Sequence, residues 1–356
     1  MPDQPAPSAT PPTSSEVAQR AGVSRTTVSF VLNGVRDQGI SEATRERVLA
    51  VAREMGYAPH AAARTLASGQ SGTVAMVIPK MAHLYVDAFL AQLAASINEE
   101  CHHLGLKLLI ESTEDEGREA GGFVKLVRSR RIDGLVVVNP RNSEREHVRR
   151  LGEAGIPMVV FGLGAADLPR TCTMGTDNAR GAQTAVSHLI GLGHRRIAHV
   201  SFAPDEYHSV SGREQGWRQA LAAAGLPADP ALVEHGDISA QSGYLATRRL
   251  LDRGVAFSAL FAGNDTIAFG AIKALHDAGR HIPDDVALVG YDDIPLADFS
   301  TPPLTTMSSD PIGHGKDAMR LLLAQLQRRG DAAAVHEERQ TVLVVRDSCG
   351  ARRRRP

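Results

Sequence analysis

Residues 22–34 read GVSRTTVSFVLNG, and this stretch decides how the N-terminal part of the chain is interpreted. Ser24 is of a residue type that caps helices, and its hydroxyl can accept a hydrogen bond from the amide of Thr27. A helix is therefore predicted from Arg25 to about Leu32. Its inward side should consist of Val28, Val31 and Leu32, and its outward side of Arg25, Thr26, Ser29 and Phe30.

Helical patterns flank this stretch on both sides. Residues 13–16, Thr-Ser-Ser-Glu, have the spacing of a capping box, and the helix they open should end at Gly22. A third helix is predicted to begin at the Ser41 cap and to end at Gly56. Helix, short turn and helix is the pattern of the helix-turn-helix, whose second helix lies in the DNA major groove. On spacing alone, a helical bundle with an ordinary solvated face is an equal alternative.

The charge of the chain is unevenly divided. Residues 13–70 contain seven Lys and Arg against five Asp and Glu, whereas residues 71–351 contain 28 against 34. The positive surplus therefore lies at the front of the chain. A surplus of this size is weak support for nucleic-acid binding when taken by itself.

The composition argues against several classes of protein. Hydrophobic residues make up 43% of the chain and charged residues 22%, and no apolar run reaches the roughly 18 residues of a membrane span. The N-terminal residues lack the basic start and apolar segment of a secretory signal, so we expect the chain to remain in the cytoplasm. The cysteines 101, 172 and 349 form no CxxC pair, which argues against a disulfide framework or a zinc site.

From residue 72 onward, short apolar runs alternate with helical patterns. The runs are TVAMVIP, KLLIES, GLVVVNP and MVVFG, followed by IAHVSF, SALFAGN and VALVGYDD. They predict buried strands of parallel sheets, joined by helices such as 87–104 and 312–328, and two such sets suggest two similar lobes. Ligands bind beyond the carboxyl ends of parallel strands, so polar residues that follow these runs are the candidates for a site.

A nicotinamide-dependent enzyme is the main rival for a parallel α/β chain. Such an enzyme needs a glycine fingerprint between a strand and a helix. The GLG at 191–193 lies instead between a helix and a strand, and the GLG at 162–164 lacks the third glycine. No GxSxG, HExxH or P-loop motif occurs, so we expect no enzymatic activity, no cofactor and no metal. A solute-binding protein with the same lobes is a further rival, which would need a signal peptide and no DNA-binding head.

Three stretches of the N-terminal part carry a family resemblance. They are GVSRTTVSFVLNG at 22–34, SEATRERVLAVAREMGYAPH at 41–60 and AARTLASGQS at 62–71. They resemble the DNA-binding head of the lactose-repressor (LacI/GalR) family, and the likeness covers nearly everything after residue 13. It implies an all-α helix-turn-helix head and a two-lobed α/β core of the type-I periplasmic-binding-protein kind, in a homodimer that binds pseudo-palindromic operator DNA.

The resemblance implies a division of the chain into five parts. These are a disordered lead-in at 1–13, a helix-turn-helix domain at 14–59, a hinge helix or linker at 60–70, a two-lobed effector-binding and dimerisation domain at 71–350, and a basic tail at 351–356.

The resemblance also implies the residues that contact DNA. They are Ser24, Arg25, Thr26, Ser29 and Phe30 in the head and Ala63 and Leu66 in the hinge helix. Arg25 can take guanine O6 and N7 bidentately, and Thr26 can contact a base or a thymine methyl group. Phe30 departs from the family, where Arg is frequent at this position, so the operator sequence is not predicted. In the family the hinge helix pairs with its twin and inserts a leucine, here Leu66, into the minor groove. The alternative is a linker with a partly buried leucine.

The cleft between the lobes should hold the effector in a protein of this family. The implied effector-binding residues are Tyr85, Ser209, Arg213, Asn264 and Asp292, and the chain is expected to cross between the lobes near 161–164, 292–296 and 306–311. Structural roles stay open for these side chains. Asp265 beside Asn264 could simply cap a helix, Asp292 could order its own turn, and Arg213 could pair with Glu214 or another acid.

The resemblance suggests a sugar as the effector. Ile238 stands where some sugar-binding relatives carry Trp or Phe, and Gly162 stands where some carry Asp, so a nucleobase or another metabolite is the alternative. We expect a repressor that its effector releases from the operator. A corepressor-dependent repressor is one alternative, because release and corepression differ only in which arrangement of the lobes the ligand prefers. An activator of transcription is another alternative.

Overall fold

The computed structural model describes residues 12–35, 38–57, 69–78, 87–112, 126–129, 131–203, 207–327 and 333–351. The chain divides into two compact units between Ser71 and Gly72. In the described part, no helix combines the length and the apolar character needed to cross a membrane. The three cysteines are free and buried.

The N-terminal unit contains three helices around a small core. They are α1 Ser14–Ala21, α2 Arg25–Leu32 and α3 Glu42–Glu54. The predicted caps are confirmed: Thr13 and Glu16 form the capping box of α1, Ser24 caps α2 and Ser41 caps α3. The buried residues of the core are Val17, Ala18, Ala21, Val28, Val31, Val48 and Ala52.

The larger unit alternates strands and helices. In chain order they are β1 Thr73–Ile78, α4 Ala88–His103, β2 Lys107–Ser112, β3 Gly134–Val138, α5 Arg145–Glu153, β4 Met158–Phe161, β5 Cys172–Thr176, α6 Asn178–Gly191, β6 Ile197–Ser201, α7 His208–Ala223, β7 Val233–His235, α8 Ala240–Asp252, β8 Ala259–Ala262, α9 Asp265–Asp277, β9 Ala287–Asp292, β10 Thr305–Ser308, α10 Pro311–Gln327, β11 His336–Arg339 and β12 Val342–Val344.

The strands form two six-stranded sheets, one in each lobe. Lobe 1 has the strand order β11-β5-β4-β3-β1-β2, and lobe 2 has the order β12-β10-β9-β8-β6-β7. All the neighbouring strands are parallel except β10 and β12. The carboxyl ends of the parallel strands therefore meet at one edge of each sheet, where a ligand is expected in such folds. The predicted two-lobed α/β core is confirmed.

The chain passes between the lobes at three places. It leaves lobe 1 after β5, returns between β10 and α10, and leaves again between β11 and β12. The prediction of a crossing at 306–311 is confirmed, because β10 ends at Ser308 and α10 begins at Pro311. The predictions at 161–164 and 292–296 are wrong, since one more strand, β5 or β10, joins the same sheet before the chain departs.

Two helix pairs in lobe 2 pack so closely that only glycine fits between them. A Cβ atom on Gly216 of α7 would collide with the carbonyl oxygen of Ala179 in α6, and one on Gly270 of α9 would collide with that of Ala240 in α8. The backbone cannot yield as a flexible side chain could, so these glycines bring the helix axes together.

We expect Gly216→Ala to lower the free energy of unfolding by about 3 kcal/mol, near the upper end for overpacked interiors. Urea unfolding followed by the fluorescence of Trp217 measures this, because the single tryptophan of the chain is buried in lobe 2. The matched control is Gly191→Ala, at a helix position with open space around it. That variant should be neutral or more stable by up to about 1 kcal/mol. Equal effects of the two substitutions would contradict the close packing.

Candidate functional site

The outward face of α2 is as predicted. Arg25, Thr26 and Ser29 are exposed, and Phe30 is half-buried. Ser24 caps the helix, with its Oγ atom 3.1 Å from the amide nitrogen of Thr27. The first turn therefore presents a cation and a hydroxyl group to solvent. Val28 and Val31 are buried and Leu32 is half-buried, so the inward side is also confirmed.

Three residues of the expected sites lie outside the described part of the chain. They are Ala63 and Leu66 of the hinge segment and Tyr85 of the first lobe. Their roles stay predictions.

Arg213 is the centre of the polar cluster in lobe 2. It lies in the second turn of α7, and its side chain is only 8% exposed. Its Nε atom donates to Asn178 Oδ1 at 2.9 Å, Nη1 donates to the carbonyl oxygen of Gly263, and Nη2 donates to Asp292 Oδ1 at 3.2 Å. One guanidinium thus joins the start of α6 to the ends of β8 and β9.

Aromatic rings cover the guanidinium of Arg213. Its Cζ atom lies 3.7 Å from the ring centroid of Tyr291 and 4.6 Å from that of Phe202. Such cation–π contacts stabilise a desolvated cation. Hydrogen bonds and the two aromatic rings packed on its guanidinium therefore hold Arg213 in place. It is a rigid part of the site.

Asp292 ends β9 in an unusual backbone conformation. Its φ is 106° and that of Asp293 is 55°, a region that non-glycine residues rarely adopt. The turn is held because Asp265 accepts a hydrogen bond from the amide of Ile294 at 2.9 Å and Arg346 contacts Asp293 at 2.8 Å. Strained residues of this kind concentrate at functional sites.

Burial controls the pKa of the acids in this cluster. The pKa of Asp292 is raised above its usual value because desolvation outweighs the stabilising charge of Arg213. The pKa of Asp265 is raised well above its usual value, first by burial and then by the charge of Asp292. Thr306 donates to Asp265 Oδ1 at 2.6 Å. Asp265 therefore stabilises the turn through hydrogen bonds, while Asp292 is the carboxylate that contacts Arg213.

Two of the structural alternatives can now be decided. The residue that caps α9 is Asn264, whose Oδ1 accepts from the amide of Ile267 at 2.8 Å, so the expectation of a cap at Asp265 is wrong by one residue. No described residue accepts a hydrogen bond from the Asn264 side-chain nitrogen. Arg213 pairs with Asp292 and not with Glu214, which contacts Arg218.

Ser209 lies in the first turn of α7, one turn before Arg213. It is 6% exposed, and its Oγ atom has no hydrogen-bond partner among the described residues. A buried hydroxyl without a partner costs free energy. An effector that supplied a partner would therefore gain affinity.

The structure explains the residue type at Gly162 but not at Ile238, because a positive φ is unfavourable for a β-branched side chain. Ile238 is buried with a φ of 71°, and its amide donates to the carbonyl oxygen of Phe202 at 2.5 Å. Gly162 has a φ of 96°, and a Cβ atom there would collide with Asn139 Oδ1. An aspartate at Gly162 would therefore require a rearrangement of Asn139.

Lobes 1 and 2 also meet away from the crossings. Arg141 of lobe 1 donates from Nε to the hydroxyl oxygen of Tyr207 in lobe 2 at 3.2 Å. A cavity of about 260 Å³ is lined by both lobes, among others by Gly162 and Thr176 of lobe 1 and Asn178 of lobe 2.

Sequence reasoning missed three polar or aromatic residues of this region. They are Asn178, Phe202 and Tyr291. Phe202 directly follows β6, so the rule of strand ends could have identified it. Asn178 opens α6, where polar residues are expected near the helix cap, and its type alone gives no sign of a binding role.

Comparisons with known proteins agree with this geometry. The profile of bacterial regulatory proteins of the lacI family matches residues 13–60, and that of the periplasmic binding protein-like domain matches residues 186–349. The HTH-type transcriptional regulator CelR of Thermobifida fusca is 35% identical over 342 residues, which are 95% of this chain and 98% of CelR. The chain belongs to the LacI family. It is a DNA-binding regulator of transcription, as expected, and its relatives are regulators and not enzymes.

Other members of the LacI family match over most of the chain. The HTH-type transcriptional repressor CytR of Escherichia coli K12 is 32% identical, with coverage of 88% of this chain and 90% of CytR. The lac repressor dimer bound to operator and the anti-inducer ONPF matches with a TM-score of 0.84 and 29% identity, over 96% of this chain and 99% of that one. The CelR–cellobiose complex matches with a TM-score of 0.67 and 33% identity, over 95% of this chain and 99% of that one.

We expect Arg213→Met to destabilise lobe 2 by about 3–5 kcal/mol, because the substitution leaves Asp292 buried without its counter-charge. The raised pKa of Asp292 gives the sign of the pH dependence: protonation relieves the unpaired charge, so the loss should be larger at pH 8 than at pH 5. Urea unfolding at both pH values measures it.

The matched control for Arg213→Met is Arg218→Met, on the same helix, where the ion pair with Glu214 is far more exposed. That substitution should cost at most about 1 kcal/mol, because solvent screens surface pairs. A loss at Arg213 no larger than the loss at Arg218 would mean that the buried pair does not hold the site together.

Proposed function

We propose that this LacI-family chain is a homodimeric repressor that binds a pseudo-palindromic operator and releases it when a small molecule, a sugar, enters the cleft between the lobes. The observation that supports the cleft as the effector site is the buried Arg213–Asp292 pair at the carboxyl ends of the lobe 2 strands. A ligand there would find fixed charges and hydrogen-bonding groups, which are what small polar molecules require.

The exposed residues of α2, the second helix of the helix-turn-helix, support the proposal that the chain recognises specific DNA bases. Arg25 and Thr26 occupy the exposed first turn of α2, the part of a helix-turn-helix that reaches base edges. We assign guanine recognition to Arg25 and further contacts to Ser24, Thr26, Ser29 and Phe30. Ala63 and Leu66 would enter the minor groove from a paired hinge helix.

We keep the five-part division of the chain with its boundaries at 13, 59, 70 and 350. The paired head of a dimer matches the two half-sites of a palindromic operator. A regulator that binds chromosomal DNA in a bacterium acts in the cytoplasm.

The assignment of a sugar follows the relatives. One matching structure is a complex of CelR with cellobiose. In this chain Arg213, Asp292, Asn264 and Ser209 would bind hydroxyl groups, because each carries a donor or acceptor near or within the buried cluster. Tyr85 is assigned to the same cleft. The aliphatic side chain of Ile238 favours a nucleobase or another metabolite as the second candidate effector.

The effector would act through linkage between two sites. A ligand that binds one arrangement of the lobes more tightly than the other shifts the population of the two, and the operator affinity changes with it. A ligand that releases the operator prefers the arrangement of the lobes that binds DNA weakly. The opposite preference would make the ligand a corepressor.

We expect Arg25→Ala to weaken binding to the operator by about 1–3 kcal/mol and to relax the preference for guanine at one position of each half-site, because a bidentate contact is lost. Fluorescence anisotropy with duplexes substituted at each position measures both effects. The control is Arg53→Ala at the end of α3, where Arg53 contacts its own helix at the Leu49 carbonyl. A change of base preference in the control, or none in Arg25→Ala, would refute the assignment.

We expect Asp292→Asn to leave operator affinity within about twofold and to abolish the response to the effector, because an amide lacks the negative charge that pairs with Arg213 and strengthens hydrogen bonds from hydroxyl donors. A thermal-shift screen of sugars and nucleobases identifies ligands of the wild type, since a ligand that binds only the folded state raises its melting temperature. The hits are then tested on the variant. An unchanged response in Asp292→Asn would place the effector elsewhere.

A further inference from the structure

The second turn of α2 carries an apolar side chain, Phe30, on its outward side. The helix contains three other apolar residues, Val28, Val31 and Leu32, and all three belong to the core of the N-terminal unit. Phe30 is half-buried and does not belong to that core among the described residues. Its ring is therefore not needed to fill the interior of the three-helix bundle, and part of its apolar surface is available to a partner.

One exposed apolar side chain is ordinary in a protein, and its meaning depends on the surface that carries it. Phe30 lies one helical turn after Thr26, and residues four apart lie on the same side of an α-helix. Thr26 and Arg25 are exposed in the first turn. Phe30 therefore belongs to the face that a helix-turn-helix places in the major groove.

The two turns of this face differ in the chemistry that they offer to a base. Arg25 is a cation and Thr26 carries a hydroxyl group, so the first turn can donate hydrogen bonds to base edges. In the second turn, the Ser29 hydroxyl already accepts a hydrogen bond from Asn33 Nδ2 at 3.2 Å. The side chain of Phe30 has neither a donor nor an acceptor. The feature of a base edge that such a ring can recognise is the C5-methyl group of thymine, which projects into the major groove.

The backbone of α2 fixes the position of Phe30. The Phe30 carbonyl oxygen accepts a hydrogen bond from the amide of Val35 at 2.9 Å, just beyond the end of the helix. At the other end, Ser24 caps the helix. The ring thus extends from a helix that is held at both ends, so little binding energy is spent on ordering its backbone.

We propose that Phe30 helps to determine the operator sequence by packing against the C5-methyl group of one thymine in each half-site. This inference rests on the proposed function and names one base that the DNA-binding head selects. Cytosine lacks the methyl group, and adenine and guanine present polar atoms at their major-groove edges. Those polar atoms lose water to an aromatic ring without gaining a hydrogen bond, which costs free energy. Phe30 therefore favours thymine over the other three bases.

Replacement of thymine by deoxyuridine removes only the C5-methyl group and tests the proposal. An operator duplex is first selected from a random library with the full chain. Each of its thymines is then replaced in turn, and dissociation constants are measured by fluorescence anisotropy. We expect one position to lose about fourfold in affinity per half-site, the equivalent of the roughly 0.8 kcal/mol of one buried CH₂ group. A selected half-site without thymine, or a half-site in which no position responds, would overturn the proposal.

The variant Phe30→Ala assigns the methyl effect to the ring. It removes a side chain from outside the core, so the head should still fold, which circular dichroism checks. Thymine and deoxyuridine at the sensitive position should then bind equally. The matched control is Leu49→Ala on α3, which also removes an exposed apolar side chain outside the core of described residues and should keep the full difference. A methyl effect that survives in Phe30→Ala would contradict the role of the ring.

Methylation of cytosine gives a second measurement, which needs only the wild type. With a C·G pair at the sensitive position, 5-methylcytosine should bind more tightly than cytosine by the same factor, because the methyl group returns to the same place in the groove. Equal affinities for the two duplexes would mean that the ring does not contact a methyl group there.

These outcomes are separate from those for the proposed function. If the wild type selected one sequence but tolerated the loss of every thymine methyl group, the regulator would stand and only the role of Phe30 would fall. If the wild type enriched no sequence from the library, the proposed function itself would fall.

Discussion

The buried ion pair between Arg213 and Asp292 is the interaction on which the candidate site depends. Two charges removed from water destabilise a protein unless their hydrogen bonds are satisfied. Here the guanidinium reaches Asn178 and Gly263 as well, and aromatic rings cover it. One side chain thus ties the ends of two strands to the start of a helix. A ligand that contacts this cluster contacts a preorganised surface, so little of its binding energy is spent on ordering side chains.

The architecture explains how such a surface can report to a distant site. Each lobe has its own parallel sheet, and in lobe 2 close contacts at Gly216 and Gly270 lock the helices in pairs. Packed units of this kind move as bodies and do not deform continuously. A ligand that bound between the lobes would therefore change the relative populations of the lobe arrangements, and the hydrogen bond from Arg141 to Tyr207 is one contact that such a change would affect. Regulation in the LacI family then needs no chemical reaction, only unequal affinity for the two arrangements.

Much of the fold was predictable from local patterns, because apolar runs and helix caps act over a few residues. The seven apolar runs all became strands, but β5, β7, β10, β11 and β12 lack a long apolar run and were missed. Both wrong crossings follow from the two strands, β5 and β10, that join a sheet before the chain leaves it. In the site, the family resemblance indicated Arg213, and the structure places it at the centre of a buried polar cluster. The contacts of Arg213 with Asn178 and the Gly263 carbonyl were not predictable, since they join residues that lie far apart in the sequence.

Reciprocity between the two sites tests the central claim most directly. If a small molecule weakens operator binding through the cleft, the operator must weaken binding of that molecule by the same factor. Calorimetric titration of a ligand from the thermal-shift screen, with and without saturating operator duplex, measures one factor, and anisotropy of labelled operator with and without the ligand measures the other. We predict that the two factors agree and that both exceed about fivefold, the lower end of allosteric coupling. A ligand affinity that operator DNA leaves unchanged would contradict regulation through the cleft.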